Sequence, residues 1–155
     1  MRTRKLLLAV VVLAWSLPMC VWSANGIEIE DAWVREGPPN APVLAGYLRI
    51  YNNGSDAVSI TAAESPDVPR IELHRTEMQE GVARMIEMKS VEVEPGQSVR
   101  FEPGGMHLML FDPARPLREG DTLDLWLITA DGTRHPTTAN VRKATGDAHH
   151  HHHQH

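Results

Sequence analysis

Arg70-Ile71-Glu72-Leu73-His74-Arg75-Thr76 and Met106-His107-Leu108-Met109-Leu110-Phe111 are the two stretches whose alternation decides the fold. Successive side chains of a β-strand point to opposite faces, so each stretch splits into two sets. In the first, Ile71 and Leu73 form the apolar set, and His74 lies with Glu72 and Thr76. In the second, Met106, Leu108 and Leu110 share one face, and His107, Met109 and Phe111 share the other. Both stretches therefore read as strands with one packed face and one face that carries histidine.

Outward from these two, the chain keeps the same character. Segments rich in Val, Ile, Leu and Tyr recur every eight to twelve positions from Ile27 onward, separated by turn residues. Candidate strands are 27–35, 45–51, 58–63, 70–76, 83–88, 98–102, 106–111, 121–128 and 133–141. Asn52-Asn53-Gly54, Pro95-Gly96, Pro103-Gly104-Gly105 and Asp131-Gly132 punctuate them as turn clusters. That spacing predicts an all-β sandwich or barrel, formed as one domain over residues 25–145. No helical period persists over three turns, and no repeat or interior linker is present. The run Gly37-Pro38-Pro39-Asn40-Ala41-Pro42 is a stiff loop, too short to separate domains.

The two ends of the 155-residue chain read differently. Residues 1–24 carry Arg2, Arg4 and Lys5, an apolar run too short to span a bilayer, and small residues at Ser23 and Ala24. This is the layout of a secretory signal peptide, and it predicts a periplasmic protein. Its removal leaves 12 Lys and Arg against 20 Asp and Glu, a formal net charge of −8, which disfavours nucleic acid or an anionic membrane surface as partner. Leu17-Pro18-Met19-Cys20 loosely resembles a lipobox, although Met19 fits poorly. Simple cleavage near Ser23 or Ala24 is the expectation, with lipid anchoring at Cys20 the lesser alternative and the only route to the membrane. Either way no free thiol remains, which removes thiol catalysis, disulfides and zinc-thiolate sites.

At the other end, His149, His150, His151, His152, His153 and His155 crowd into seven residues, interrupted by Gln154. A purification tag is the plain reading of such a run. The leader is still present, however, and no linker precedes the histidines, so residues 146–155 are read as a disordered natural metal-binding tail. Its imidazoles suit Cu(II) best among divalent ions.

The methionines are unevenly placed. Met78, Met85, Met88, Met106 and Met109 fall within one 32-residue stretch that His74 and His107 flank or enter. Methionine is a common core filler, and parity sorts the set: Met88 and Met106 follow the core pattern, while His74, Met85, His107 and Met109 project from it. The turn Met78-Gln79-Glu80-Gly81, closed as a four-residue loop, would set His74 opposite Met85 and Arg75 opposite Arg84. Two like charges facing each other make that register uncertain by a residue. Two imidazoles and two thioethers converge if the hairpin packs beside the His107 strand. Thioether sulfur is soft and selects Cu(I), whereas zinc favours Cys, more His, or carboxylates. Lack of cysteine also excludes a blue-copper centre. Met78 and Phe111 are read as hydrophobic edges of a shallow site, and His135 as a solvated surface histidine.

The spacing His74, ten residues, Met85, twenty-one residues, then His107-Leu108-Met109 resembles the signature of periplasmic copper chaperones of the PCuAC type. Asp31-Ala32-Trp33, Ala45-Gly46-Tyr47, Glu72-Leu73-His74, Pro103-Gly104-Gly105 and Gly120-Asp121 extend the likeness over most of the body. The resemblance implies a cupredoxin-like Greek-key β-sandwich that binds one Cu(I) through His74, Met85, His107 and Met109. It also implies delivery of copper toward the CuA site of cytochrome c oxidase, with Sco-type proteins as partners. Copper sequestration is the alternative function. An enzyme is not expected, since four protein ligands leave no open position for a substrate.

Overall fold

A computed structural model describes residues 26–143. The predicted signal peptide, Cys20 and the histidine tail lie outside the described residues. Ten strands form in chain order: β1 (Ile27–Arg35), β2 (Val43–Asn52), β3 (Val58–Glu64), β4 (Arg70–Gln79), β5 (Val82–Glu87), β6 (Val91–Val93), β7 (Ser98–Phe101), β8 (Met106–Phe111), β9 (Thr122–Thr129) and β10 (Arg134–Arg142). Nine of them answer to the segments read from the sequence. The tenth, β6, is three residues long, below what alternation alone can signal.

Hydrogen bonding links the strands in the order β5-β4-β8-β7-β2-β1-β10-β9-β3-β6, with β2 also pairing with β8. The β1–β10 pair is parallel and nearly all others are antiparallel. Although β3 and β4 stand far apart in this order, only residues 65–69 join them and the two strands approach each other. The sheet therefore folds over on itself, and one cluster of buried side chains fills the interior from both halves. Leu73 of β4, Leu108 and Leu110 of β8, Leu48 and Ile50 of β2, Ile60 of β3 and Leu123, Leu125 and Leu127 of β9 all belong to it. This is the cupredoxin-like sandwich expected. Alternation produces it directly, because residues two apart reach the same interior while those between them face out.

Three local features position the outer face of β4 and β8. Gly46 of β2 lies opposite Leu108, and a Cβ there would meet Leu110 Cδ1 at 3.0 Å and Leu108 Cβ at 3.4 Å, so glycine lets β8 sit close. Asn52, read as part of a turn, is instead the fully buried last residue of β2. Its amide donates to the carbonyls of Val93 and Asp56 at 2.8 and 2.7 Å, and its oxygen accepts from Gly54 N–H at 3.0 Å. Third, the β4–β5 hairpin turns on only two residues, Glu80 and Gly81, with φ of 52° and 79°. Two successive left-handed residues match the right-handed twist of paired strands, which favours this tight turn over the four-residue loop expected. The register consequently moves by two: Thr76, not His74, stands opposite Met85, and Glu77, not Arg75, opposite Arg84. Opposite charges replace like charges across the ladder. Because the shift is even, every side chain keeps its predicted face.

Candidate metal centre

β4 and β8 are antiparallel neighbours in a register that sets His74 directly opposite His107, Glu72 opposite Met109 and Arg70 opposite Phe111. The intervening residues, Leu73 and Leu108, point into the core and are 3% and 1% exposed. All six paired residues therefore share the outer face. The two imidazoles lie with ring centroids 6.0 Å apart and planes tilted by 36°. His107 is nearly fully buried despite its outward direction, on a strand that has β4 on one side and β2 and β7 on the other. The shallow site expected from parity is therefore closed over at His107, although the ring keeps the face that parity assigns it.

Each ring has one nitrogen engaged and one free. His107 Nδ1 donates to the Gly105 carbonyl at 3.1 Å, an oxygen that also accepts from Thr76 N–H at 3.1 Å. A carbonyl only accepts, so Nδ1 carries the proton and Nε2 keeps its lone pair. His74 Nε2 lies 2.8 Å from Glu72 Oε2. The remaining nitrogens, His74 Nδ1 and His107 Nε2, are buried and have no hydrogen-bond partner among the described residues. An unpaired buried polar atom costs about 1–3 kcal/mol, and two on facing rings mark a place arranged for something to bind. Glu72 also contacts Arg70, whose guanidinium carbon sits 3.6 Å above the Phe111 ring. The hydrogen bond from His74 is the main cause that holds the Glu72 carboxyl below its usual range; desolvation opposes it, and the hydrogen bond and charge of Arg70 add to the lowering.

The methionines occupy two environments. Met109 stands one step from His107 on β8 and diagonal to His74; Met85, on β5, is diagonal to His74 on the other side. Diagonal neighbours lie about 7–8 Å apart, within reach of long side chains. Met85 is 63% exposed, as is Met78 at 67% and Val82 at 59%, all on the hairpin arm. Met78, read as a turn residue, belongs to β4 on the His74 face. Met88 and Met106 are partly buried and pack against the core, as parity predicts. Among the described residues no three His, Cys, Asp or Glu side chains gather as a metal-holding group, so two imidazoles alone do not complete a coordination sphere here.

Sequence reasoning missed the Phe111, Arg70, Glu72, His74 chain. The spacing of Arg70, Glu72 and His74 at every second position was the available signal. It also misread His135, whose Nε2 is buried without a partner; desolvation pushes that imidazole below its ordinary pKa, with Asp131 opposing.

Fold and face together define a cupredoxin-like β-sandwich with a histidine and methionine surface at one sheet edge. The chain belongs to the LpqE-like family, described as "Putative lipoprotein LpqE-like", whose model matches residues 27–141. It is 28% identical over 124 residues to "Putative lipoprotein Lxx21020" of Leifsonia xyli subsp. xyli, covering 79% of this chain and 74% of that one. Among solved structures it is similar to the copper-bound PCuAC domain from PmoF2, with a TM-score of 0.64 at 19% identity, covering 76% of this chain and 93% of that one. It is also similar to the CuI form of DR1885 from Deinococcus radiodurans, with a TM-score of 0.56 at 24% identity, covering 85% and 83%. The chain thus has the fold of PCuAC domains.

Proposed function

We propose that the protein is an extracytoplasmic Cu(I) carrier whose ligands are His74, Met85, His107 and Met109. The observation that carries this reading is the pair of facing imidazoles, each with one buried unpartnered nitrogen, flanked diagonally by two thioethers. Neutral imidazole and thioether form an uncharged, soft donor set that favours Cu(I) over zinc, iron or calcium. Structures of the same fold carry copper, according to the descriptions of the PmoF2 domain and the CuI form of DR1885, which supports the reading. Four protein ligands leave no place for a substrate, so this is a binding protein rather than an enzyme.

The carrier hands its copper on, toward the CuA site of cytochrome c oxidase and in company with Sco-type proteins. Exposure of Met85 favours transfer, since an acceptor can displace one ligand without unfolding the donor. The periplasm is the proposed location, and the lipoprotein description of the family adds weight to acylation at Cys20. The histidines from His149 to His155 would take Cu(II) separately.

X-ray absorption of the Cu(I)-loaded protein tests the ligand set. Two nitrogen and two sulfur neighbours are expected, and a sulfur-free sphere would end the proposal. Mixing the Cu(I) form with an apo CuA domain tests delivery. Transfer supports the carrier, whereas retention of copper would mean sequestration.

A further inference from the structure

Glu72 has neither oxygen free for a metal. Oε2 accepts from His74 Nε2 at 2.8 Å, and Oε1 is held by Arg70. Arg70 is in turn seated on the Phe111 ring, where a flat guanidinium gains from both stacking and cation–π attraction. The chain Phe111, Arg70, Glu72, His74 runs along one face across the β4–β8 register, and it ends at a ring whose other nitrogen is buried and unpartnered.

From this we infer that Glu72 is a positioning residue that commits His74 to the Nε2–H tautomer and so presents Nδ1 as its copper donor. A carboxylate accepts only, so the proton on the neutral ring must stay at Nε2, and the lone pair must fall on Nδ1. His107 is committed in the opposite sense by the Gly105 carbonyl, which holds its proton at Nδ1 and leaves Nε2. One ring is therefore pinned by a side chain and the other by backbone, and the two free nitrogens belong to facing rings. Pinning removes the ring flip and tautomer exchange that would otherwise have to be frozen when the metal binds, which raises affinity. Arg70 serves a second purpose. It occupies the oxygen that would otherwise offer a hard ligand, and hard oxygen is the wrong donor for Cu(I).

This role rests on the Cu(I) reading, but it can be tested without metal. Nitrogen-detected NMR of the 15N-histidine-labelled apo protein at about pH 8.5, where imidazole is neutral, reports the tautomer of each ring, with His74 identified by its loss in His74→Asn. The wild type is expected to show His74 as Nε2–H and His107 as Nδ1–H. Glu72→Ala should give a mixed His74 population and weaken Cu(I) binding, in competition with a chelator, by about 10–100-fold. Glu72→Gln, which keeps an accepting oxygen, should retain the tautomer and most of the affinity. A wild-type His74 protonated at Nδ1 would overturn the inference whatever the variants do. So would a Glu72→Ala protein with unchanged tautomer and affinity, or one that binds Cu(I) more tightly, which would make the carboxylate a competitor for Nε2. If the wild type showed the expected tautomers but bound no Cu(I), the carrier reading would fail while the role of Glu72 in setting the ring would stand.

Discussion

The floor formed by β4 and β8 and the arm formed by the β4–β5 hairpin share one strand yet differ in almost every physical respect. On the floor, His107 is 5% exposed, its ring is tied to a backbone carbonyl, and the residues beneath it fill the core. On the arm, Met78, Val82 and Met85 are all mostly exposed, and β5 is an edge strand with no neighbour beyond it among the described residues. β4 leaves the sandwich as it runs from Leu73 toward Gln79: its pairing with β8 ends at Arg75, and beyond that only β5 accompanies it. The lesson is a division of labour. In the proposed site the imidazoles, which need fixed direction, stand where packing is tight, and the thioether of Met85, which needs only reach, stands on the exposed arm.

Four experiments would break or sharpen that contrast. The largest effect is expected from Leu108→Ala, which empties a fully buried position directly beneath the floor. It should cost about 2–5 kcal/mol of stability in denaturant unfolding and weaken Cu(I) binding with it, because His107 and Met109 share its strand. A floor that kept full copper affinity after such a loss would not be acting as a rigid platform.

Next comes the turn of the arm. Gly81 has φ +79° and open space around it, so alanine there meets no clash and incurs only the left-handed backbone cost, about 1–2 kcal/mol. Gly81→Ala should disturb hydrogen-exchange protection in β5 and leave the His74–His107 contact intact. Loss of protection across β8 as well would show that arm and floor are one cooperative unit.

Equal or smaller in stability are the paired variants Met85→Ala and Met88→Ala. Met85 is exposed, so its removal should alter stability by no more than about 0.5 kcal/mol and still weaken Cu(I) binding. Met88 packs its side chain against the core, so the alanine variant should lose up to about 2 kcal/mol, at the low end for a partly buried methionine, with little change in copper affinity. The reverse result would exchange the roles of the two methionines.

The smallest effect lies away from both regions. Burial holds His135 below its ordinary pKa, so the folded state favours the neutral ring. Its contribution is therefore complete above the unfolded value of about 6.5 and is lost as pH falls through the lower folded value. His135→Asn should flatten the fall of melting temperature on acidification, while leaving Cu(I) binding at neutral pH unchanged. An unaltered acid profile would show that the burial of His135 does not set that fall.

The alternation of β4 and β8, the core positions of Leu73, Leu108 and Leu110, and the common face of His74, Met85, His107 and Met109 were all legible in the sequence. A strand's period of two is a local property, written in each segment and indifferent to its neighbours. That is also why an error of two in the hairpin register left the faces correct. What only the tertiary structure decided was who stands opposite whom. His74 and His107 are 33 positions apart in the chain, and their pairing depends on how β8 inserts between β4 and β2, which the packing of both halves of the sheet settles together. The turn geometry at Glu80 and Gly81, the burial of Asn52 and His107, and the seat of Arg70 on Phe111 have the same origin: each is a contact between segments, and its energy exists only once the sandwich has closed.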